Sequence, residues 1–239
     1  VHGRTEDNPY LPKSYIESLK ENYDDNLLKA YLEGRFVNLQ KGVTYNGFSR
    51  ERNIKECKYN PNLPLHVGID FNVSPMASCI IQEQSHSPQI KVIDEVLLTQ
   101  DGSGDLLTER MMNTIKQMYP NRNYNAYPDA TGAARHSSSR FSDIQLIQKA
   151  NFLVHVRHIN PLVINRVNSM NNNLSKGNII IDPKCKHLIR DLEQVVNKEG
   201  TREIDKTSHS ELSHISDALG YYTDFKHPTT KPAIGVQDR

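Results

Sequence analysis

The sequence has no tryptophan and only three cysteines in 239 residues. Cys57, Cys79 and Cys185 are odd in number and widely spaced, which excludes a disulfide framework and fits a reducing compartment. Cys185 and His187 could supply two zinc ligands at most. We therefore expect buried thiols and no structural zinc site.

Long apolar runs are also absent. No segment approaches the roughly 18 consecutive apolar residues of a membrane span, so we expect no membrane partner. Hydrophobic residues make up 36% of the chain and charged residues 24%, a polar globular composition. At this length the chain can form one large α/β domain, or one domain with an appendage, because cores stop growing near about 250 residues.

The net charge of +1 conceals an uneven distribution. Residues 131–206 carry 12 Lys and Arg against 7 Asp and Glu, whereas residues 1–130 carry 14 against 17. A polyanion is therefore expected to bind the middle block. The strongest candidates for DNA contacts are Arg135, Arg140, Arg166, Lys176, Arg202 and Lys206.

Hydrophobic periodicity predicts a mixed sheet flanked by helices, an α/β fold. Strands are predicted over residues 65–72, 77–84, 89–98, 124–127, 152–156 and 178–182, the first three as a meander and the fifth as a buried strand. Helices are predicted over residues 105–119, 141–150, 161–174, 185–197 and 208–225, with Pro161 in the first turn of its helix. Residues 1–60 are more polar and are predicted to form an arm with a helix over residues 12–32, so the domain is expected to span residues 61–239.

Three aspartates stand where such a fold would bring them together. Asp70 ends the first strand, Asp129 follows the fourth, and Asp217 lies in the last helix. Open α/β sheets bind ligands at the carboxyl ends of their strands, and grouped carboxylates repel one another unless a cation is present. Mg²⁺ and Mn²⁺ prefer such oxygen ligands. The alternative is that Asp70 ends a strand, Asp129 caps a turn and Asp217 is solvated.

The last predicted helix has two distinct faces. One face is apolar and contains Leu212, Ile215, Leu219 and Tyr222. The other carries His214, Asp217 and Tyr221, and the i, i+3 spacing lets His214 and Asp217 face one site. His214 could take part in metal binding or proton transfer, or it could be a partly buried histidine bonded to backbone.

Three sequence blocks together resemble the nuclease domain of the large terminase subunit of tailed bacteriophages. They are His-Val-Gly-Ile-Asp-Phe-Asn, Pro-Asp-Ala-Thr-Gly and Ser-His-Ile-Ser-Asp-Ala-Leu-Gly-Tyr. Each block is weakly specific alone, but their order and the final His-x-x-Asp-Ala give the match its strength. The arm, with Tyr-Leu-Glu-Gly-Arg-Phe, resembles the segment joining that family's ATPase domain to its nuclease.

This resemblance implies a ribonuclease H-like fold and a DNA endonuclease that uses two Mg²⁺ or Mn²⁺ ions. It implies that Asp70, Asp129 and Asp217 are the metal ligands, and that His214 orients or deprotonates the attacking water. Asp94 and Glu95 on the third strand are possible outer ligands.

The implied biological setting is the packaging of viral DNA in the cytoplasm of a host bacterium. The expected partners are double-stranded DNA, the terminase ATPase domain, the small terminase subunit and the portal. The sequence contains no Gly-x-x-x-x-Gly-Lys-Ser/Thr phosphate loop, so we expect the ATPase domain to lie outside this chain.

Two other functions use the same features. An actin-like or sugar-kinase-like ATPase also begins with a Gly-Ile-Asp strand, although its two lobes need more than 239 residues. A non-catalytic module that docks on DNA or on the portal would carry the acidic site as a vestige. ATP-dependent thermal stabilisation would favour the first, and failure to nick a plasmid with metal would favour the second.

Overall fold

The computed structural model describes residues 42–72, 74–84, 87–134, 141–207 and 212–229. Its strands are β1 (Leu65–Asp70), β2 (Met76–Glu83), β3 (Ile90–Leu98), β4 (Tyr124–Pro128), β5 (Leu153–Val154) and β6 (Ile179–Ile181). Its helices are α1 (Arg50–Asn53), α2 (Leu107–Met118), α3 (Asp143–Lys149), α4 (Val163–Ser175), α5 (Lys186–Gln194) and α6 (His214–Lys226), and a 3₁₀ turn covers Ala130–Ala133. The predicted helix over residues 12–32 lies outside the described residues.

The strands form one mixed sheet in the order β5-β4-β1-β2-β3-β6. The meander β1-β2-β3 is antiparallel, whereas β4 runs parallel to β1, β5 to β4 and β6 to β3. Parallel pairs need crossover connections, and the intervening helices provide them. The predicted α/β architecture is confirmed.

Helices cover both faces of the sheet. The apolar residues of α4, α5 and α6 pack on one face, and those of α2 pack on the other. Strand β1 is buried along its whole length, as expected for a central strand covered on both sides.

Gly68 in β1 allows α6 to lie directly against the sheet. A Cβ atom at Gly68 would lie 2.2 Å from the carbonyl oxygen of Ala218. Any larger residue would push the helix away, and Ala218 is the neighbour of Asp217. The glycine therefore sets the distance between Asp217 and the end of β1.

Three sequence predictions are wrong in detail. Helix α6 begins at His214 and not at residue 208, because Ser213 has a left-handed backbone with φ of +80°. Strand β5 has two residues and exposes Leu153, because it is an edge strand paired only with β4 among the described strands. Pro161 precedes α4 by two residues and does not lie in its first turn.

The described part of the predicted arm packs on the domain. Tyr45 and Cys57 are buried in the two apolar clusters. The Asn53 amide donates to the carbonyls of Leu174 and Ile179 at 3.0 and 2.9 Å. Residues 42–60 thus join the end of α4 to β6, and the boundary at residue 60 stays a prediction.

Within the described residues, no helix combines the length and the apolar character needed to cross a membrane.

Candidate active site

The three predicted aspartates are brought to one end of the sheet. Asp70 is the last residue of β1, and Asp129 directly follows β4, its parallel neighbour. The amide of Asp129 donates to the carbonyl of Ile69 at 3.0 Å, which holds the two strand ends together. Asp217 lies in the first turn of α6, which crosses β1 at Gly68. All three are buried, with exposures of 8, 8 and 5%.

The carboxylates influence one another electrostatically. Burial raises the pKa of Asp70, and the charges of Asp217 and Asp129 raise it further. A hydrogen bond from His214 opposes this increase without cancelling it. The end of β1 is therefore a place where negative charge accumulates and where a cation would be stabilised.

Two basic side chains neutralise Asp217 in this structure. Arg166 Nη1 lies 3.1 Å from one carboxylate oxygen, and Lys206 Nζ lies 3.1 Å from the other. Arg166 is buried, and its pKa is raised: burial lowers it, but the charge of Asp217 and other nearby acidic groups outweigh that effect. Both residues were predicted to contact DNA, but here Arg166 is a buried counter-ion and only Lys206 reaches solvent.

Tyr221 connects Arg166 to the second aspartate. The Arg166 guanidinium lies 4.3 Å from the centre of the Tyr221 ring, and the Tyr221 hydroxyl donates to Asp129 Oδ2 at 3.3 Å. Burial raises the pKa of Tyr221, so the hydroxyl stays protonated as a donor. One chain of contacts therefore runs from Asp217 through Arg166 and Tyr221 to Asp129.

Asp129 also organises the loops around it. Its Oδ1 accepts hydrogen bonds from the Thr131 amide at 2.8 Å and from the Asn160 side-chain amide. Asn160 in turn accepts from the Ala130 amide at 2.8 Å. Asp129 thus caps the 3₁₀ turn, as the alternative interpretation required, and still directs Oδ2 towards Tyr221.

His214 bridges Asp70 and Asn72. Its Nδ1 lies 3.1 Å from Asp70 Oδ2, and its Nε2 lies 2.9 Å from Asn72 Nδ2. The carboxylate can only accept and the amide nitrogen can only donate, so we assign the proton to Nδ1 of a neutral ring. These bonds go to side chains, whereas the structural alternative expected a bond to backbone.

The donors suit a divalent cation, but they are not gathered around one. No group of three or more His, Cys, Asp or Glu side chains in the described part of the chain is close enough to hold a metal ion. Three buried carboxylates are the oxygen donors that Mg²⁺ and Mn²⁺ prefer. Coordination by Asp217 would require its oxygens to turn away from Arg166 or Lys206.

The other predicted DNA contacts are scattered. Arg135 and Arg140 lie outside the described residues. Lys176 caps the C-terminus of α4, ten residues or about 15 Å beyond Arg166. Arg202 lies in the loop between α5 and α6 and is partly buried.

Asp94 and Glu95 support helix α5 and its approach. Asp94 Oδ2 accepts from Lys184 at 2.8 Å and from the Tyr119 hydroxyl at 2.9 Å. Glu95 accepts from the amides of His187 and Leu188 at 2.8 and 2.9 Å. Both side chains therefore have structural roles. Glu95 accepts from amides in the first turn of α5, and Asp94 accepts from a lysine that precedes α5 and from a tyrosine that follows α2.

Sequence reasoning missed the roles of Arg166, Asn160 and Asn72. Arg166 could not be separated from the other basic residues of the middle block, because its burial depends on how α4 packs against α6. Tyr221 was placed correctly on the helix face of Asp217, four residues further along.

Comparison of the sequence with protein-family models and with curated proteins gave no match. Comparison of the fold with solved structures gave clear matches. The large terminase of the thermophilic bacteriophage D6E matches with a TM-score of 0.67 and 16% identity over 94% of this chain and 55% of that one. This chain therefore spans about half the length of that protein.

Isolated nuclease domains also match. That of the P22 large terminase matches with a TM-score of 0.60 and 11% identity, covering 81% of this chain and 97% of that one. The large terminase nuclease of the thermophilic phage G20c matches with a TM-score of 0.50 and 12% identity, covering 77% of this chain and 98% of that one. The chain has the ribonuclease H-like fold of terminase nuclease domains, as the resemblance implied.

Proposed function

We propose that this chain is a metal-dependent endonuclease that cleaves double-stranded DNA during the packaging of a viral genome. The observation that carries the proposal is the convergence of Asp70, Asp129 and Asp217 at the carboxyl end of β1 and β4. The fold supports the general class of a nuclease. The metals are inferred from the chemistry of the site, and the reaction and the DNA substrate are inferred from the resemblance of the three sequence blocks to terminase nuclease domains.

Asp70, Asp129 and Asp217 would hold two Mg²⁺ or Mn²⁺ ions. Bound there, such ions lower the pKa of the attacking water and stabilise the leaving 3′ oxygen of a phosphodiester. Burial of the carboxylates strengthens their attraction for a cation, since the effective dielectric constant is lower than in water.

His214 is suited to orient the attacking water. In the assigned tautomer Nδ1–H donates to Asp70, so Nε2 is the basic nitrogen. It now accepts from Asn72, and in the proposed reaction the attacking water would take the place of that amide as the donor to Nε2. Asp70 would then fix the ring orientation, as a carboxylate partner of histidine commonly does.

A plasmid-nicking assay tests the proposal. With Mn²⁺ or Mg²⁺ at low salt, the wild-type chain should nick and cut supercoiled DNA without sequence preference. Asp70→Asn and Asp217→Asn should lower the rate by more than about a hundredfold, because losing even a hydrogen-bond partner of a metal ligand typically costs 10- to 100-fold. Wild-type rates in either folded variant would reject the assignment.

Asp182→Asn is the matched control. Asp182 also directly follows a strand, β6, but it accepts from the Cys57 amide at 2.9 Å and not from any group of the site. Its variant should cleave at the wild-type rate. A similar loss in this variant would show that the assay reports stability and not chemistry.

A non-catalytic docking module is the second candidate. The pairing of Asp217 with Arg166 and Lys206 favours it, because both oxygens of a proposed ligand already face protein cations. Persistent DNA binding without any metal-dependent nicking would support this alternative.

The wider assignment is part of the same proposal. The chain would cut concatemeric DNA in the host cytoplasm, tethered to an ATPase domain and working with the small terminase subunit and the portal. Tethering would raise the effective DNA concentration, so a protein that also carries the ATPase domain should cleave more efficiently than this chain at equal concentration and salt.

A further inference from the structure

An unusual aliphatic surface lies beside the candidate site. Five of the eight large hydrophobic side chains that the described residues expose fall within residues 153–163. Ile159 and Leu162 are the most open, at 81 and 65% exposure. Single exposed aliphatic residues are common, but such a concentration in eleven residues marks an interaction surface.

Three polar side chains of this segment contact the rest of the domain. Arg157 Nη2 lies 3.0 Å from Asp224 Oδ2 and donates to the Asp224 carbonyl at 2.8 Å. His155 is hydrogen-bonded to Asn125 at 3.0 Å, and Asn160 holds Asp129 and the Ala130 amide. His155, Arg157 and Asn160 therefore anchor the segment, while most of its aliphatic side chains and His158 are exposed.

The surrounding charges favour a polyanion. Residues 144–181 contain no Asp or Glu, and they carry three exposed cationic side chains, Lys149, Arg157 and Lys176, of which Arg157 is paired with Asp224. An acidic partner would therefore meet no carboxylate contributed by these 38 residues. Duplex DNA combines this negative charge with an apolar component, because sugars and base edges line its grooves.

The anchoring by Asn160 fixes the distance to the site. Asn160 is hydrogen-bonded to Asp129 and is the neighbour of Ile159. Since consecutive Cα atoms are about 3.8 Å apart, Ile159 lies within roughly 10 Å of the Asp129 carboxylate. DNA placed on Asp129 for cleavage would therefore also reach Ile159.

We propose that residues 155–163 form a DNA-contacting rim of the site, in which Ile159 and Leu162 enter a groove of the duplex. Aliphatic side chains make such contacts with the minor groove in other DNA-binding proteins. Asn160 ties this contact to Asp129. The inference rests on the proposed function in so far as duplex DNA is the ligand.

Site-specific photocrosslinking tests the contact. Cys57, Cys79 and Cys185 are buried, so a maleimide-linked crosslinker should react mainly at an introduced cysteine. Ile159→Cys is compared with Met118→Cys, whose side chain is 41% exposed at the end of α2, on the other face of the sheet. A chelator prevents metal-dependent cleavage of the short labelled duplex during illumination, and low salt favours its binding.

The Ile159 conjugate should crosslink to DNA in much higher yield than the Met118 conjugate, because the photoreactive group reacts only with atoms within its reach. Equal yields would overturn the proposal. Crosslinks from Ile159 to a second protein copy, without DNA, would also overturn it and assign the surface to protein contact.

A binding experiment separates this inference from the proposed function. Ile159→Ser combined with Leu162→Ser should weaken duplex binding by about tenfold, without changing the slope of log affinity against log salt. Wild-type cleavage with unchanged binding in this variant would refute the rim and leave the nuclease intact. Weakened binding with no cleavage by the wild-type chain would support the rim and refute the nuclease.

Discussion

Two acidic side chains at opposite ends of the sheet have pKa values that are shifted in opposite directions. Asp70 ends β1, and burial together with the charges of Asp217 and Asp129 raises its pKa. Glu83 ends β2 at the other end of the sheet. Burial alone would raise the pKa of Glu83, but His227, Tyr222 and Lys226 lower it overall.

The opposite pKa shifts reflect different surroundings, because Glu83 is paired with basic groups and Asp70 lies among other acidic groups. Glu83 has its own partners, with His227 Nε2 at 2.5 Å and Lys226 Nζ at 3.9 Å. Asp70 shares its surroundings with two other carboxylates. Glu83 is therefore surrounded mainly by opposite charge, whereas Asp70 is bonded to His214 but also meets the repulsion of two carboxylates, which a cation would relieve.

The largest effect on stability is expected from Arg166→Met. The substitution leaves Asp217 buried with only the exposed Lys206 as a partner, and breaking a buried ion pair in this way costs about 3–5 kcal/mol. Urea unfolding at neutral pH measures the loss. Lys206→Met is the control and should cost at most about 1 kcal/mol, because its ammonium group is solvated.

A double variant tests directly whether the cost of losing Arg166 comes from the charge of Asp217. Arg166→Met combined with Asp217→Asn removes the uncompensated charge, so it should recover much of the lost stability. Additive losses in the two substitutions would contradict the direct coupling between them.

A third buried acid extends the comparison. Asp191 on α5 accepts from the Ser216 amide at 3.3 Å, and its Oδ1 has no hydrogen-bond partner among the described residues. Burial raises the pKa of Asp191 to about 6. Its contribution to stability is therefore fully present below its ordinary pKa, near 4, and is lost as the pH rises through about 6.

Asp191→Asn should remove this loss of stability at high pH, because the amide side chain does not ionise. The variant should be about 3 kcal/mol more stable than the wild-type chain at pH 8, and the difference should shrink as the pH falls below about 6. Thermal or urea unfolding across this range measures it. A pH-independent difference would show that Asp191 does not titrate in the folded protein as its burial requires.

The smallest effect on stability is expected from substituting Glu83, at the end of the sheet where the acidic side chain is paired with basic groups. Because the pKa of Glu83 is lowered, its stabilisation is present above its ordinary pKa, near 4.5, and is lost as the pH falls through the folded-state value. Glu83→Gln should thus cost about 1 kcal/mol at pH 7 and much less at pH 3. Equal costs at both pH values would argue that packing, and not charge, accounts for the residue.

The opening meander, the mixed sheet and the placement of the three aspartates at one end of it could be predicted from sequence. Asp70 and Asp129 follow apolar strand patterns, and strands that run parallel bring such ends together. The periodic apolar face of α6 was also legible, since Ile215, Leu219 and Tyr222 are all in the core. These features depend on local pattern and on general rules of sheet topology.

Other features depend on contacts that sequence does not display. The start of α6 was placed too early because nothing in the sequence marks Ser213 as left-handed. Strand 152–156 looked buried because four of its five residues are apolar, yet β5 lies at an edge and exposes Leu153. Asn160 reaches Asp129 across 31 positions, through a loop that carries no recognisable motif.

Direct measurement of Mn²⁺ binding tests the central claim. Isothermal titration and the Mn²⁺ electron paramagnetic resonance signal should both detect binding to the wild-type chain and to Glu83→Gln. Asp70→Asn and Asp217→Asn should lose that binding while remaining folded, and Mn²⁺ should raise the thermal stability only where it binds. Equal Mn²⁺ affinity in wild-type protein and Asp70→Asn, or no binding by the folded wild-type chain, would contradict the assignment of these carboxylates as a metal site.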